Sequence, residues 1–422
     1  MEVLCNLFLL SFSIIFLVCA WRVVNWAWLR PKTLEKWLRG QDLKGNAYTL
    51  FYGDTKELAK MINQTKSKPM KILSDDQVVP RAIPYFFESI QKHGNESGEL
   101  DVWPELQTMA ANVISLTAFG INYEDGRRVF ELQCEQAEHA MELRHSVYVP
   151  GGRFLPTKRN RRMNEIDKEI NTVVRRIIEK RIEAMKEGEA NSIDLLDMLL
   201  DSNFKEIKHH GNQEFGMTIE EIISECKLFY LAGQETSSAL LVWTMVLLSR
   251  NQEWQERARE EVVHVFGDDK PDFDGLNRLK IVTMILHESL RLYPPVATLI
   301  RIVKEDAKLG NLSLPAGVLL LVPTILLHHD REMWGEDANE FKPERFREGV
   351  SKATNGQACY LPFGGGPRIC IGLNFTMVEA KIALSCILRR FSFKLSPSYA
   401  HAPYMLLTIK PLYGAPLILQ KL

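Results

Sequence analysis

The chain has 422 residues, 46% of them hydrophobic and 25% charged, with a formal net charge of −1. That composition supplies a sizeable core and excludes a disordered or fibrous chain. The near-neutral balance gives no electrostatic footprint for nucleic acid. Cysteines at positions 5, 19, 134, 226, 359, 370 and 386 form no spaced pairs and no C-x-x-C. Such an odd, scattered set fits a reducing compartment and excludes a disulfide framework.

Residues 3–21 carry no charge and are rich in Leu, Phe, Ile and Val. As a helix that run spans roughly 28 Å, close to the hydrocarbon core of a bilayer. Arg22, Arg30, Lys32, Lys36 and Arg39 follow it, so the positive side lies after the span. A cleaved signal peptide carries its charge before the apolar run. Residues 1–30 are therefore expected to be a membrane anchor, 31–46 an interfacial linker, and 47–422 the functional domain. From there the pattern is mostly helical, with helix-compatible runs at 48–65, 102–119, 126–147, 160–188, 193–200 and 218–250. Further runs follow at 276–292 and 373–388. Thr218 with Glu221 three residues on predicts a capping box. The polar stretch 201–216 is expected to be an exposed loop. Short strands are predicted at 299–303, 317–322, 405–409 and 417–420. The fold class is mainly α with small β-sheets (α+β). Asn63, Asn95, Asn311 and Asn374 begin N-x-S/T sequons, read as chance in a cytosolic domain.

The most informative stretch is Pro362-Phe363-Gly364-Gly365-Gly366-Pro367-Arg368-Ile369-Cys370-Ile371-Gly372. Its glycines permit unusual dihedrals, and the apolar run 373–388 follows at once. An anionic sulfur just before a helix start is stabilised by the macrodipole and by free backbone N–H groups. A lone buried cysteine beside a glycine turn is the plain alternative. The spacing F-G-x-G-x-R-x-C-x-G is more specific, and it resembles the haem-binding signature of the cytochrome P450 family. The resemblance implies that Cys370 is the axial thiolate of a haem b (iron protoporphyrin IX). It also implies that Arg368 pairs with a propionate and that Phe363 lies against the cofactor.

Three further segments carry the same resemblance. Glu288-Ser289-Leu290-Arg291 resembles the family's E-x-x-R helix, with Arg345 of Pro343-Glu344-Arg345-Phe346 as third partner. A carboxylate between two guanidiniums accepts several charge-assisted bonds. The role implied for the three is structural, to fix the loop presenting Cys370. Ala232-Gly233-Gln234-Glu235-Thr236 resembles the A-G-x-x-T segment of the helix crossing the haem. Gly in mid-helix costs about 1 kcal/mol relative to Ala, so it invites a reason. The resemblance implies that Gly233 opens space for dioxygen and that Glu235 and Thr236 deliver protons. Arg301 follows as a second propionate contact. Phe229, Leu231, Val296, Thr298, Leu299, Met405 and Leu406 are expected at the substrate pocket, although each also suits an ordinary core. His328 and His329 lack a ligand-spaced carboxylate or thiol and are read as structural.

The likeness extends from Trp26 to Leu422. Residues 153–163 are similar to the plant clan that includes secologanin synthase. Membrane-bound members usually run near 500 residues; residues 83–94 resemble the first full helix of the domain, and the shortage here localises after Gly94. No residues occupy the place of the W-x-x-x-R helix, a propionate contact and a substrate-recognition loop, and Trp103 is followed by Gln107. The proline-rich hinge is also absent, with Arg30-Pro31-Lys32 in its place. The implied function is a monooxygenase hydroxylating a lipophilic terpenoid or steroid-like molecule with dioxygen and electrons from an NADPH-cytochrome reductase. Its implied setting is the endoplasmic reticulum membrane, single-pass, with a cytosolic body. The alternative is a catalytically inactive, shortened variant that binds haem poorly and competes for reductase or partners.

Overall fold

The computed structural model describes residues 21–39, 97–121, 123–144, 152–187, 194–211 and 215–422. The expected span at 3–20, the helices at 48–65 and 83–94, and the junction at residues 94 and 95 lie outside the described residues. In chain order, a π-turn at Asn25–Leu29 runs into α1 (Arg30–Arg39). Then come β1 (Ser97–Asp101), α2 (Trp103–Phe119), α3 (Tyr123–Arg144), α4 (Lys158–Glu187) and α5 (Leu195–His210). They are followed by α6 (Ile219–Arg250), α7 (Gln252–Phe266), α8 (Phe273–Arg278) and α9 (Lys280–Leu292). Strands β2 (Leu299–Ile302), β3 (Ala307–Leu309), β4 (Leu312–Leu314) and β5 (Leu319–Val322) come next. The short helices α10 (Thr324–His328), α11 (Arg331–Trp334) and α12 (Val350–Ala353) precede α13 (Leu373–Leu388). Strands β6 (Phe391–Leu395), β7 (Pro403–Met405), β8 (Ile409–Pro411) and β9 (Pro416–Lys421) close the chain.

The chain divides into two compact units. The described residues of the first are 21–39, 136–144, 152–165 and 303–317. It holds α1 and the hairpin β3–β4, which turns at Gly310 (φ +59°) and carries Asn311 at its exposed tip. Within the second unit, α6 runs through the core. Its start carries both halves of the capping box, Glu221 N–H to Thr218 Oγ1 and Thr218 N–H to Glu221 Oε2. Its C-terminal half is buried continuously from Ser237 to Ser249. There it packs among α2, α7, α9 and α13 in one hydrophobic cluster, where Trp243 stacks on Tyr293 at 4.4 Å. Its N-terminal half belongs to a second cluster with α2, α5 and the second-unit parts of α3 and α4. By length and apolarity α6 could cross a membrane, but 78% of its apolar window is buried as core.

Strand β1 pairs antiparallel with β9, which pairs antiparallel with β6. Asp101 Oδ1 accepts the N–H groups of Trp103 and Ala415, so it starts α2 and ties it to the C-terminal sheet.

Three expectations need correction. Residues 201–210 are helical, not loop. Asp194 caps the Asp197 N–H, the basic residues Lys208, His209 and His210 complement the C-terminal end, and Gly211 closes it at φ +66°. Asn203 exchanges two hydrogen bonds with the Met217 backbone, which brings the chain back alongside. The helix expected at 276–292 is broken at Leu279 (ψ 91°). The Glu261 carboxylate of α7 accepts the N–H groups of Lys280, Ile281 and Val282, so a neighbouring helix caps the new start. The single strand expected at 405–409 is instead a hairpin, with Met405 paired to Ile409.

Candidate active site

A cavity of about 250 Å³ lies within the second unit. Thr236 and Leu240 of α6, Leu290 of α9 and Thr376 of α13 contribute to its wall, with Pro295 and Val296 from the segment leading into β2 and Leu299 and Arg301 on β2 itself. Pro362, Phe363, Gly364, Arg368 and Cys370 complete it from a single loop. Gly364 (φ +73°) and Gly366 (φ +67°) occupy left-handed conformations that an L side chain rarely adopts. They let the loop fold back so that the Cys370 N–H reaches Phe363 O at 2.9 Å and Ile369 N–H reaches Gly366 O at 3.1 Å. Cys370 stands two residues before Gly372, the N-cap of α13, and it is exposed. A Cβ on Gly372 would lie 3.7 Å from the Cys370 sulfur.

The cavity therefore brings together one thiol, two guanidiniums (Arg301 and Arg368, both exposed), two hydroxyls and apolar walls. Among the described residues Arg301 donates only to the neighbouring Ile300 carbonyl, at 2.9 Å, which leaves most of its five donors available. That donor set fits an iron macrocycle with acidic substituents: a sulfur for the metal, cations for carboxylates and apolar surface for the ring. The remaining expected residues are distributed differently. Val296 and Leu299 line the cavity, whereas Phe229, Leu231, Thr298, Met405 and Leu406 are not on its wall. Phe229 instead packs against the second core cluster. Leu240, Leu290, Pro295 and Thr376 were not expected there, since their approach depends on tertiary packing.

On α6, Thr236 reaches the cavity and its hydroxyl donates to Ala232 O at 2.7 Å. Glu235 is buried, off the cavity wall, and accepts the Thr408 hydroxyl at 2.9 Å. Gly233 is not on the cavity wall. A Cβ there would come within 2.7 Å of Ile114 Cδ1 on α2, so the missing side chain permits two helices to approach.

Behind the loop, Glu288 and Arg291 are fully buried on α9 and paired through two hydrogen bonds of 2.8 Å. Arg291 also donates to the carbonyls of His328 (2.7 Å), Ala338 (2.6 Å) and Glu340 (3.2 Å). Glu288 Oε1 accepts the Lys342 N–H at 2.9 Å. Arg345 approaches Glu288 as a 3.5 Å ion pair, while its hydrogen bonds go to the carbonyls of Trp334 and Asp337. Asp337 is pulled down to about 2 by the Lys342 and Arg345 cations. Every member of the network has several partners, the condition under which a buried ion pair is tolerated. His328 and His329 belong to this backbone network: Leu361 N–H donates to His328 Nε2, and His329 contacts Asn339 and Leu292 O.

The family model for cytochrome P450 matches residues 31–412. The chain belongs to the cytochrome P450 family, whose members are haem-thiolate monooxygenases. It is 47% identical to cytochrome P450 CYP72A219 of Panax ginseng, across 97% of each chain. It is 46% identical to cytochrome P450 72A397 of Kalopanax septemlobus, across 96% of this chain and 95% of that one. The 7-deoxyloganic acid hydroxylase of Catharanthus roseus is 44% identical, across 97% of this chain and 99% of the relative. The alignment with the ginseng protein runs over 505 positions, so on the order of a hundred have no residue of this 422-residue chain opposite them.

Proposed function

We propose that this protein is a membrane-anchored monooxygenase that hydroxylates a lipophilic small molecule of terpenoid or steroid-like character. The observation that carries the reading is the convergence of Cys370, Arg301, Arg368 and Thr236 on one cavity. Cys370 would supply the sulfur that holds the iron, and Arg301 and Arg368 would hold the acidic substituents of the haem. Haem b, when bound, supplies dioxygen activation. Two electrons come from NADPH through a reductase, one oxygen atom goes to the substrate C–H bond, and the other leaves as water with two protons. Thr236, at the cavity wall, would hold a proton donor in place, with Glu235 behind it as the source linked to Thr408. Val296, Leu299, Leu240 and Leu290 would exclude water and select an apolar substrate. The Catharanthus relative, a 7-deoxyloganic acid hydroxylase, supports a terpenoid substrate.

The anchor proposed for residues 1–30 puts the body on the cytosolic face of the endoplasmic reticulum. Exposed Trp21, Trp28 and Leu29 beside Arg30 and Lys32 support an interfacial position for the residues that follow. Lys32 sits 5.7 Å over the Trp28 ring. Cys370→Ala is the direct test. It should abolish the thiolate-type band of the reduced carbon-monoxide complex, and its persistence would overturn the assignment.

A second reading, a shortened variant with little activity, is favoured by one further observation. A groove of about 580 Å³ lies open between α2 and α13, walled by Met109, Val113, Leu116, Ile382 and Cys386. Buried Glu379 also lines it, with Oε2 taken by Ser237 and Oε1 bonded to none of the described residues. With about a hundred residues fewer than its relatives, the chain would lack the part that covers this face. Exposing about 400 Å² of apolar surface costs about 10 kcal/mol, comparable to the stability of a whole domain. Near-stoichiometric haem with steady product formation would exclude this reading.

A further inference from the structure

The loop bearing Cys370 begins immediately after Tyr360 and Leu361, and both are gripped from α9 and α10. The Leu361 N–H donates to His328 Nε2 at 2.8 Å. His328 has no exposed surface, and its own carbonyl accepts Arg291 Nη1 at 2.7 Å. With Nε2 accepting, the proton of the neutral ring falls to Nδ1, which has no hydrogen-bond partner among the described residues. Burial pushes the imidazole down to about 4, so the ring is neutral near pH 7 and keeps the acceptor that a protonated ring lacks. One residue earlier, the Tyr360 hydroxyl donates to the His287 carbonyl at 3.0 Å and lies 3.0 Å from His287 Nδ1. From Leu361 the bonds continue into the loop: Gly364 N–H to Leu361 O, then Cys370 N–H to Phe363 O.

We propose that His328 is a positioning residue for Cys370. Its Nε2 holds the Leu361 N–H and, with the Tyr360–His287 contact, makes the Glu288–Arg291 network set where the sulfur stands. This rests on reading Cys370 as the axial ligand. The acceptor, rather than the ring's bulk, is the operative feature. Removing it strands a buried N–H at the root of the loop, which destabilises more than a hydrogen bond's net worth.

The test is hydrogen exchange resolved by mass spectrometry on the full-length chain, comparing wild type with His328→Phe and His328→Gln. Phe fills the site without an acceptor, whereas the Gln amide oxygen restores one. In His328→Phe, amides 361–371 should exchange about ten-fold faster while 280–292 keep wild-type protection. His328→Gln should stay close to wild type. In haem-loaded samples, His328→Phe should lose the thiolate-type carbon-monoxide band about ten-fold faster than either. Equal exchange in all three proteins would overturn the proposal, as would a Gln variant as loose as Phe. Should His328→Phe also lose protection over 280–292, Tyr360→Phe carries the test. Faster exchange confined to 361–371 supports the clamp, and wild-type exchange overturns it. A wild-type protein with no thiolate band would instead refute the role of Cys370 and leave the exchange result standing.

Discussion

One helix, α13, borders two regions of opposite character. Its first turn continues the Cys370 loop, where Glu288, Arg291, His328 and Leu361 are held in a closed hydrogen-bond network. Six residues after Leu373, Glu379 lines an apolar groove against α2, with one oxygen taken by Ser237 and the other bonded to none of the described residues. The first region satisfies its buried charges. The second buries a carboxyl that burial pushes up to about 8, which keeps it protonated at neutral pH. The machinery around the sulfur is thus internally braced, while the face behind it forms an apolar groove among the described residues.

The largest effect is expected in the closed region. Arg291→Ala leaves Glu288 buried without its bidentate partner and should cost about 3–5 kcal/mol. That loss should appear in urea unfolding and as failure to retain haem. Survival of both at wild-type levels would show that the network is dispensable.

The open region gives the next effect, with a distinctive pH dependence. A folded-state value of about 8 against an ordinary 4.5 means that the folded chain holds a proton the unfolded chain has lost between those values. Stability from this group is therefore complete below about pH 4.5 and lost as pH rises toward 8. Glu379→Gln should remove that slope and, at pH 8, be more stable than wild type by on the order of 3 kcal/mol. Urea midpoints at pH 5 and pH 8 read the difference. His287, His328 and His401 are each pushed down to about 4 by burial and give the opposite slope, losing stability as pH falls from about 6.5 to 4.

Gly233→Ala probes the approach of α2 to α6. A Cβ within 2.7 Å of Ile114 should cost about 1–3 kcal/mol. An unchanged thermal midpoint would mean that Ile114 yields freely. The smallest effect should come from Lys205→Ala, whose exposed pair with Asp201 contributes no more than about 0.5 kcal/mol.

Much of this was readable along the chain because it depends on local chemistry. The capping box at Thr218, the run 373–388 and the Glu288–Arg291 spacing each declare themselves within a few residues. The misreadings arose where distant groups decide. Glu261 caps a helix nineteen residues away, and Asn203 bonds Met217 to stabilise a helix that its polar composition hid. Distant groups likewise decide what approaches Gly233 and what meets His328, which was rightly read as structural: Ile114 in the first case and the Leu361 N–H in the second. The groove has no local signature, because it is a space between two helices.

The measurement that most directly tests the role of Cys370 is a reduced carbon-monoxide difference spectrum on the purified chain, with haem quantified in the same sample. A strongly red-shifted Soret band at near-equal haem is the predicted result, and it would mean that the site closes despite the open groove. Absence of haem, or the band of a neutral-ligand haem, would contradict the monooxygenase reading and leave an inherited motif on a chain that no longer uses it.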